Sequence, residues 1–363
     1  MRARSFASSG ALAVVMAVLL WAPAFVAAQA PSDHPSAAAA SGTPAAAAAK
    51  TTAAKTWTAP RTPDGQPDLQ GYWTSLSFTP MERPAKYGTR EFLTDAEAQE
   101  LYKAGVQHSY EFTFANSAET PVYDATVYAL DAWQNGVTMN KRTSLVVDPP
   151  DGRIPPLTAE AQARRRGRGR GGAANAEGGG GGQRFDGPED LGNGVRCLSF
   201  GGPPILPGAY NNNTQIVQGP GYVMLEYEWN SEARIIPVDG RPHLAPNIRQ
   251  WHGDSRGRWE GNTLVVETTN FRPDATYQNA NSQTLRITER FTRTDAATIE
   301  YKFTIDDPTT WTKPWTAIVP MSNVQGPMFE YACHEGNNGA VNILEGARAQ
   351  DKAAADAQKK GSK

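Results

Sequence analysis

The sequence predicts a mainly β protein built on an antiparallel meander, with a calycin-like β-barrel as the favoured architecture and a sandwich as the second. From Thr214 onward, segments rich in β-branched and aromatic residues follow one another, separated by Gly, Asp, Asn or Pro. No helical pattern lies between these segments, which disfavours a doubly wound α/β sheet. The predicted strands are TQIVQ, GYVMLEYEW, EARIIPV, NTLVVETTNF, TLRITERFTR, TIEYKFTI, PWTAIVP and MFEYAC.

The region before these strands is less regular. PRTPDGQPDLQGYW, residues 60–73, is rich in Pro, Gly and Asp and predicts an irregular segment laid over a surface. Thr94 and Glu97 have capping-box spacing, so a short helix is expected to begin there and to end at Gly105. TSLVVDPPDGRIPPLT, residues 143–158, predicts two short strands around a turn.

The N-terminus indicates export. Arg2 and Arg4 precede an apolar stretch, and Ala28-Gln29-Ala30 is typical of a signal-peptidase site, so residues 1–30 are interpreted as a signal peptide. A retained membrane span is the poorer alternative, because Pro23 interrupts the apolar part. No later stretch is long and apolar enough to cross a bilayer. We therefore expect a periplasmic or secreted protein with no stable membrane span after leader removal.

Composition divides the rest of the chain. Residues 31–56 are rich in Ala, Pro and Thr and predict a flexible tether, and residues 57–350 predict a single β-rich domain. Inside it, the Arg/Gly-rich residues 161–184 lack apolar content and predict a disordered loop. A C-terminal helix is expected over residues 340–359, with a charged tail at 351–363. Export and a formal net charge of −2 disfavour a nucleic-acid partner despite the arginines.

The chain has two cysteines, Cys197 and Cys333. An even cysteine count in an exported protein favours a disulfide. The alternative is a pair of unrelated buried thiols. A bridge would close a long loop and would stabilise the fold mainly by restricting the unfolded chain.

Strand alternation places one carboxylate on an apolar face. In TLRITERFTR, Glu289 shares its face with Leu285, Ile287 and Phe291. A buried carboxylate must be paired or neutral, so Glu289 marks either an internal ion pair or an acid that lines a cavity. The ion pair is favoured, and Arg234 is a facing candidate for the partner.

The same sorting divides MFEYACH into two faces. Cys333 falls on an aromatic face, as expected of a core disulfide, whereas Glu330 and His334 fall together on the other. If that face lined a pocket, these two residues could act as an acid/base pair. His334 does not begin a metalloprotease motif, because position 338 is Asn rather than a second His.

Two further stretches are rich in groups that form charge-assisted hydrogen bonds. ARIIPVDGRPH, residues 233–243, ends in His243, and RQWHGDSRGRWEGNT, residues 249–263, contains His252. Both are interpreted as loops. The favoured role of their charged residues is to hold the loops in place through Arg–Asp pairs. Three imidazoles could bind zinc if these loops met His334, but the spacing in sequence gives that no support. No metal or cofactor is therefore assigned.

Several markers together resemble a known group of proteins. They are PDGQPDLQGYW, LVVDPPDGRIPPLT, YNNNTQIVQ, ARIIPVDGRPH, GDSRGRWEGNTLVVETTNF, DDPTTWTKPW and EYACHEGN. The chain resembles, over residues 60–348 apart from the Arg/Gly-rich insertion, a recurrent family of exported, functionally uncharacterised proteins of soil and environmental bacteria. The resemblance implies no activity. The meander is also similar to calycin barrels, the lipocalin-like binders of small molecules, at the level of the fold.

Three classes of function follow from these observations. The favoured one is binding of a small organic molecule inside the barrel, between Trp and Tyr walls that are otherwise ordinary core. The predicted ligand-binding residues are Arg234, Glu289, His252, Asp254, Arg256 and Trp259. The second is a periplasmic lyase, isomerase or hydrolase with His334 as general base, oriented by Glu330. The third is a structural envelope protein, favoured if side chains fill the interior.

Overall fold

The computed structural model of the chain describes residues 57–115, 136–168, 185–199, 202–208, 211–273 and 275–361. All of them belong to one unit, residues 55–363. The expected signal peptide and tether lie outside the described residues, and so do residues 169–184 of the Arg/Gly-rich segment. No helix among the described residues is long and apolar enough to span a membrane.

A ten-stranded antiparallel sheet dominates the described chain, which confirms the mainly β class. Its strands are β1 (Gly71–Thr74), β2 (Val146–Asp148), β3 (Asn213–Gly219), β4 (Tyr222–Tyr227), β5 (Glu232–Pro237), β6 (Asp254–Glu260), β7 (Thr263–Thr269), β8 (Arg286–Arg293), β9 (Thr298–Asp306) and β10 (Trp315–Val324). The hydrogen-bonded order is β5-β4-β3-β1-β10-β9-β8-β7-β6, and β2 pairs with β10 off this path. Most neighbours are consecutive in sequence, as a meander requires.

Seven of the eight predicted strands are confirmed, and the eighth is wrong. MFEYAC forms no strand, because the chain leaves the sheet after Val324. Pro327 cannot donate a ladder hydrogen bond, and Gly326 packs against the ring of Tyr72, where an added Cβ would lie 2.2 Å from Cε2. The structure adds two strands that were interpreted as irregular, β1 and the polar edge strand β6. The predicted second strand of residues 143–158 is reduced to one bridge, Leu157 to Trp311.

The sheet curves until its two end strands approach each other. β5 and β6 end the order and are not hydrogen-bonded to each other. They come close at Gly257, where an added Cβ would lie 2.9 Å from Ile236 Cγ2 and 2.7 Å from Val238 Cγ1. Gly therefore permits a backbone approach that a larger residue would block. A closed barrel stays a prediction.

One continuous cluster of buried apolar side chains fills the concave side of the sheet. Its largest fully buried members are Trp73, Trp311, Trp315, Tyr301, Phe271, Phe291 and Phe303. The irregular segment before β1 joins this core, because Leu69 is fully buried and its carbonyl accepts a 2.9 Å hydrogen bond from Trp73 Nε1. Trp73, Trp311 and Trp315 are therefore core residues rather than the walls of an open pocket.

Helix α1 (Asp95–Ala115) begins where the sequence predicts and ends ten residues later than expected. The capping box is present: Thr94 N donates to Glu97 Oε2 at 2.8 Å, and Glu97 N donates to Thr94 Oγ1 at 3.3 Å. Bonds from Arg90 and Thr94 lower the pKa of Glu97 to about 2. Gly105 does not end the helix; it makes room for Phe78, whose Cγ would lie 2.2 Å from an added Cβ.

Two further helices revise the predicted boundaries. Helix α2 (Ala159–Arg168) occupies the start of the segment predicted to be disordered, and Thr158 Oγ1 caps it by accepting from Ala161 N at 3.1 Å. Arg164 Nη2 also donates to Thr310 Oγ1 at 2.9 Å, so tertiary contacts hold this helix. Helix α3 (Asn338–Gly361) confirms the C-terminal helix and includes most of the expected tail.

The predicted disulfide is confirmed. Cys197 and Cys333 are bonded, 136 residues apart in sequence. Nearby, Asn337 Nδ2 donates to Val195 O at 2.8 Å. The bridge and this hydrogen bond fasten the segment between β10 and α3 to the loop around Cys197.

A buried aspartate, Asp307, holds the loop after β9 to the loop before β8. Its carboxylate accepts from Asn281 N at 2.7 Å, Thr284 Oγ1 at 2.7 Å and Thr309 Oγ1 at 2.9 Å. Burial opposes its ionisation, but hydrogen bonds from the Thr310, Thr284 and Thr309 side chains and from Asn281 prevail and lower the pKa of Asp307.

Replacing both Cys197 and Cys333 with Ser should lower the free energy of unfolding by up to about 5 kcal/mol, because the cross-link removes entropy from a very long unfolded loop. Urea denaturation followed by tryptophan fluorescence measures the change. Wild-type protein in reductant is the matched comparison and should unfold at the same urea midpoint as the double variant. An unchanged midpoint in both would contradict the prediction.

Asp307→Asn should make the fold less sensitive to acid. A carboxylate with a depressed folded pKa stabilises the fold above its unfolded pKa of about 3.9 and loses that contribution as the pH falls through the folded value. We expect the variant to be less stable by about 1–3 kcal/mol at pH 7 and to converge with the wild type toward pH 2. Urea titrations between these pH values test this, with the exposed Asp356→Asn as control. Parallel curves for wild type and Asp307→Asn would refute it.

Candidate functional site

Two polar clusters contain four of the eight predicted catalytic and ligand-binding residues, namely Arg234, Glu289, Asp254 and Arg256. The interior cluster consists of Tyr227, Arg234, Glu289 and Tyr301. The loop cluster consists of His243, Asp254, Arg256, Glu267 and Arg286. In the register of β7 and β8, Glu289 lies opposite Val266, so the next residue, Glu267, faces the other side of the sheet. The two clusters therefore lie on opposite faces.

The interior cluster is built on the predicted ion pair between Arg234 and Glu289, which is confirmed. Arg234 is 3% exposed and Glu289 is fully buried. Arg234 Nη2 lies 3.0 Å from Oε1 and 2.9 Å from Oε2, but its N–H is aligned on Oε1 alone. Burial disfavours the guanidinium charge, yet the attraction of Glu289 outweighs it and raises the pKa of Arg234.

The pair brings together strands that are far apart in the sheet. Arg234 is on β5 and Glu289 is on β8, with β4, β3, β1, β10 and β9 between them in the hydrogen-bonded order. Their direct contact requires the sheet to curve until its inner faces oppose each other.

Tyr301 completes the support for Glu289. Its hydroxyl donates to Glu289 Oε1 at 2.9 Å and accepts from Ile205 N at 3.0 Å. Burial, followed by the negative charge of Glu289, raises the pKa of Tyr301 well above its usual value. Tyr301 is therefore a neutral donor at physiological pH.

Several polar atoms of the interior cluster have no hydrogen-bond partner among the described residues. They are Arg234 Nε, Arg234 Nη1, Glu289 Oε2 and the Tyr227 hydroxyl, and all of them are buried. Buried polar atoms in native proteins are almost always hydrogen-bonded to protein, water or ligand, because an unmade bond costs about 1–3 kcal/mol. Four such atoms in one cluster leave hydrogen-bonding capacity that water or a ligand could satisfy.

Tyr227 is the member of this cluster that lies beside part-exposed side chains. Its ring centroid is 6.0 Å from Arg234 Cζ and 6.1 Å from the ring centroid of His252. His252 Nε2 lies 2.6 Å from Glu232 Oε2, and these two side chains are 15% and 12% exposed. We call Tyr227, Glu232 and His252 the mouth group; it shares Tyr227 with the interior cluster.

A nearby serine does not form a catalytic triad. Ser199 Oγ donates to Glu232 Oε2 at 3.0 Å, the same oxygen that His252 approaches. In a Ser-His-acid triad the histidine lies between serine and acid and takes the serine proton. Here the carboxylate lies between them, so this arrangement does not activate Ser199 as a nucleophile.

The loop cluster is hydrogen-bonded within itself. Asp254 is 2% exposed, and its carboxylate is bound by His243 Nδ1 at 2.8 Å, Leu244 N at 2.9 Å and Arg256 Nη1 at 2.6 Å. The expected Arg–Asp pairs are present, one in each histidine-bearing stretch (Arg241–Asp239 and Arg256–Asp254), and Asp254 joins the two stretches through His243 and Leu244. Asp254 and Arg256, predicted to bind ligand, consequently lie on the opposite face of the sheet from Arg234 and Glu289.

The other side of the loop cluster is bound to β7 and β8. His243 Nε2 lies 3.3 Å from Glu267 Oε1, and Arg286 Nη1 lies 2.6 Å from the same oxygen. Partial burial opposes ionisation of Glu267, but the bonds from Arg286 and His243 prevail and lower its pKa. The cluster therefore fixes the chain between β5 and β6 against the sheet.

The remaining candidates are dispersed. Trp259 packs part-buried against the core. Glu330 and His334 are both exposed on the irregular segment after β10, and no hydrogen bond or ion pair between them is observed in this described segment. The alternation argument that joined them is wrong because the strand is missing; their acid/base role stays a prediction. Within the described ranges no group of three or more His, Cys, Asp or Glu side chains could hold a metal ion.

Sequence reasoning identified Arg234, Glu289 and His252 but missed the residues between them. Tyr227 could have been found, since it alternates with Val223 and Leu225 on the inner face of β4. Ser199 and Glu232 come from a distant loop and a strand end, and no local pattern marks them.

No protein-family model, curated protein or solved structure matches the chain. Function is therefore inferred from the geometry of the two clusters. One has unfilled hydrogen-bonding capacity, whereas the key carboxylate of the other already receives three donors.

Arg234→Met alone should destabilise the fold by about 3–5 kcal/mol, because it leaves a buried carboxylate without its partner. Adding Glu289→Leu should recover much of that loss, since no buried charge then remains. Urea denaturation of both single variants and the double variant measures the coupling. The exposed pair Arg258 and Glu260, 2.8 Å apart, is the control and should contribute less than about 1 kcal/mol. Additive effects of the two interior substitutions would contradict the coupling.

Proposed function

We propose that this chain is an exported protein, periplasmic or secreted, that binds a small organic molecule at the interior cluster. The observation that carries the proposal is the group of four buried polar atoms without described partners around Arg234, Glu289 and Tyr227. A ligand with suitable polar groups would supply the missing hydrogen bonds, and the surrounding apolar wall would exclude water.

The mouth group supports access to this site. Glu232 and His252 retain contact with solvent, and Tyr227 lies against both His252 and Arg234. A ligand would therefore reach the interior cluster past Tyr227.

The filled interior limits the size of the ligand. A single cluster of buried apolar side chains occupies the concave side of the sheet. The ligand is therefore expected to be small and to lie beside the core, rather than in an open central cavity of the kind that lipocalin-like barrels enclose.

The same filled core favours a second candidate, a structural envelope protein without a small-molecule site. In that case ordered waters would satisfy Arg234 and Tyr227, as waters commonly do for buried polar groups. The two candidates differ in what occupies the interior cluster and can be separated on that ground.

Native mass spectrometry of the mature protein, secreted from its own host and purified without denaturant, tests the proposal. We expect a retained organic mass that Tyr227→Phe loses about 2–10-fold more readily, because the substitution removes a hydroxyl without a described partner while leaving the packing intact. Tyr222→Phe, exposed on the same strand, is the matched control and should retain the mass like the wild type. A wild-type protein with no retained mass, and with only waters on Arg234 and Tyr227 in a high-resolution structure, would favour the structural role.

A further inference from the structure

We propose that the interior cluster selects uncharged molecules that carry a carbonyl group, with primary amides the best match, and rejects carboxylates. This inference rests on the small-molecule binding proposed above and names the class of ligand. It follows from two properties of Arg234. Its buried positive charge is balanced by Glu289, but several of its hydrogen-bond donors have no described acceptor.

The charge balance disfavours anions. Arg234 and Glu289 are in ionic contact at 2.9 Å, and both are buried, so the pair is neutral overall. A carboxylate ligand would leave one net negative charge in the cluster, and an uncompensated buried charge is strongly destabilising. An uncharged ligand leaves the balance intact.

Tyr227 adds a neutral hydroxyl to the cluster. Burial raises the pKa of this hydroxyl; the charge of Arg234 opposes the shift, and the charges of Glu289 and Glu232 add to it. The buried hydroxyl oxygen has no described hydrogen-bond partner, so it can pair with an uncharged polar group of the ligand.

The unmet hydrogen bonds specify what the ligand must offer. Arg234 Nε carries one N–H and Nη1 carries two, and none of these three donors has a described acceptor. Glu289 Oε2 is the one carboxylate oxygen of the cluster that accepts no hydrogen bond. A carbonyl oxygen supplies acceptor lone pairs for the guanidinium, and an amide NH₂ supplies a donor for Oε2. A primary amide carries both groups.

The walls of the cluster are aromatic. Tyr227 borders Arg234, and the ring centroids of Tyr301 and Phe291 lie 4.8 Å apart beside Glu289. Flat rings pack favourably against such side chains. Benzamide and benzoate are therefore suitable probes, because they match in size and shape and differ in charge.

The experiment compares the affinities of benzamide and benzoate for the mature protein at pH 7 by ligand-observed NMR titration. In the wild type we expect benzamide to bind at least about tenfold more tightly. Glu289→Gln removes the balancing charge and keeps the shape, so benzoate should then bind more tightly than benzamide. Glu267→Gln removes an equal charge from the loop cluster on the other face and should leave the wild-type preference unchanged.

A second variant covers the possibility that Glu289→Gln does not fold. Glu232→Gln removes a negative charge from the part-exposed mouth group, and it should narrow the preference for benzamide several-fold.

Equal or tighter binding of benzoate to the wild type would overturn the selectivity, and so would the failure of both probes to bind at about 10 mM. A retained host molecule that proves to be an anion would overturn the selectivity alone and leave the binding function standing. An empty interior cluster together with two silent probes would overturn both.

Discussion

One buried contact constrains the curvature of the sheet: the ion pair between Arg234 and Glu289 joins the inner faces of β5 and β8. Five strands separate these two in the hydrogen-bonded order, so the pair can form only when the sheet is strongly curved. Removing one partner would leave the other charge buried and unpaired, at a cost of several kcal/mol. The pair also fixes register, because a slip of one residue in β8 would turn Glu289 to the other face. Tyr301 and the backbone N–H of Ile205 extend this constraint to the segment before β3.

The same contact explains why the interior cluster, rather than the histidine-rich loops, is the better candidate site. The Arg234 guanidinium is anchored through one nitrogen, and two others remain without described partners. In the loop cluster, Asp254 receives bonds from His243, Leu244 and Arg256 and has little capacity left for a ligand. A high content of charged residues therefore has different consequences in the two clusters. In the loop cluster the hydrogen-bond donors and acceptors are matched, so its residues hold the fold together. In the interior cluster they are not all matched, which leaves capacity for a ligand.

Local sequence patterns predicted the elements whose structure depends on neighbouring residues. Runs of β-branched and aromatic residues between turn-forming residues identified seven strands, and alternation placed Glu289 on an inner face, because side chains of a strand point alternately to its two sides. The capping box at Thr94 began α1 where expected, since its hydrogen bonds span only three residues. The pairing of Cys197 with Cys333 was predicted from an expected export and an even cysteine count, and it is confirmed although the strand predicted around Cys333 was wrong.

Which distant segments meet became clear from the folded chain alone. β1 lies between β3 and β10. β6 is an edge strand that pairs with β7, although its polar sequence does not predict a strand. Helix α1 continues through Gly105 because Phe78 fills the space that the missing side chain leaves. The approach of His252 to Glu232 and Tyr227 joins the segment before β6 to the β4–β5 hairpin. Such meetings depend on the packing of the whole sheet, a sum of long-range contacts that no local pattern of residues contains.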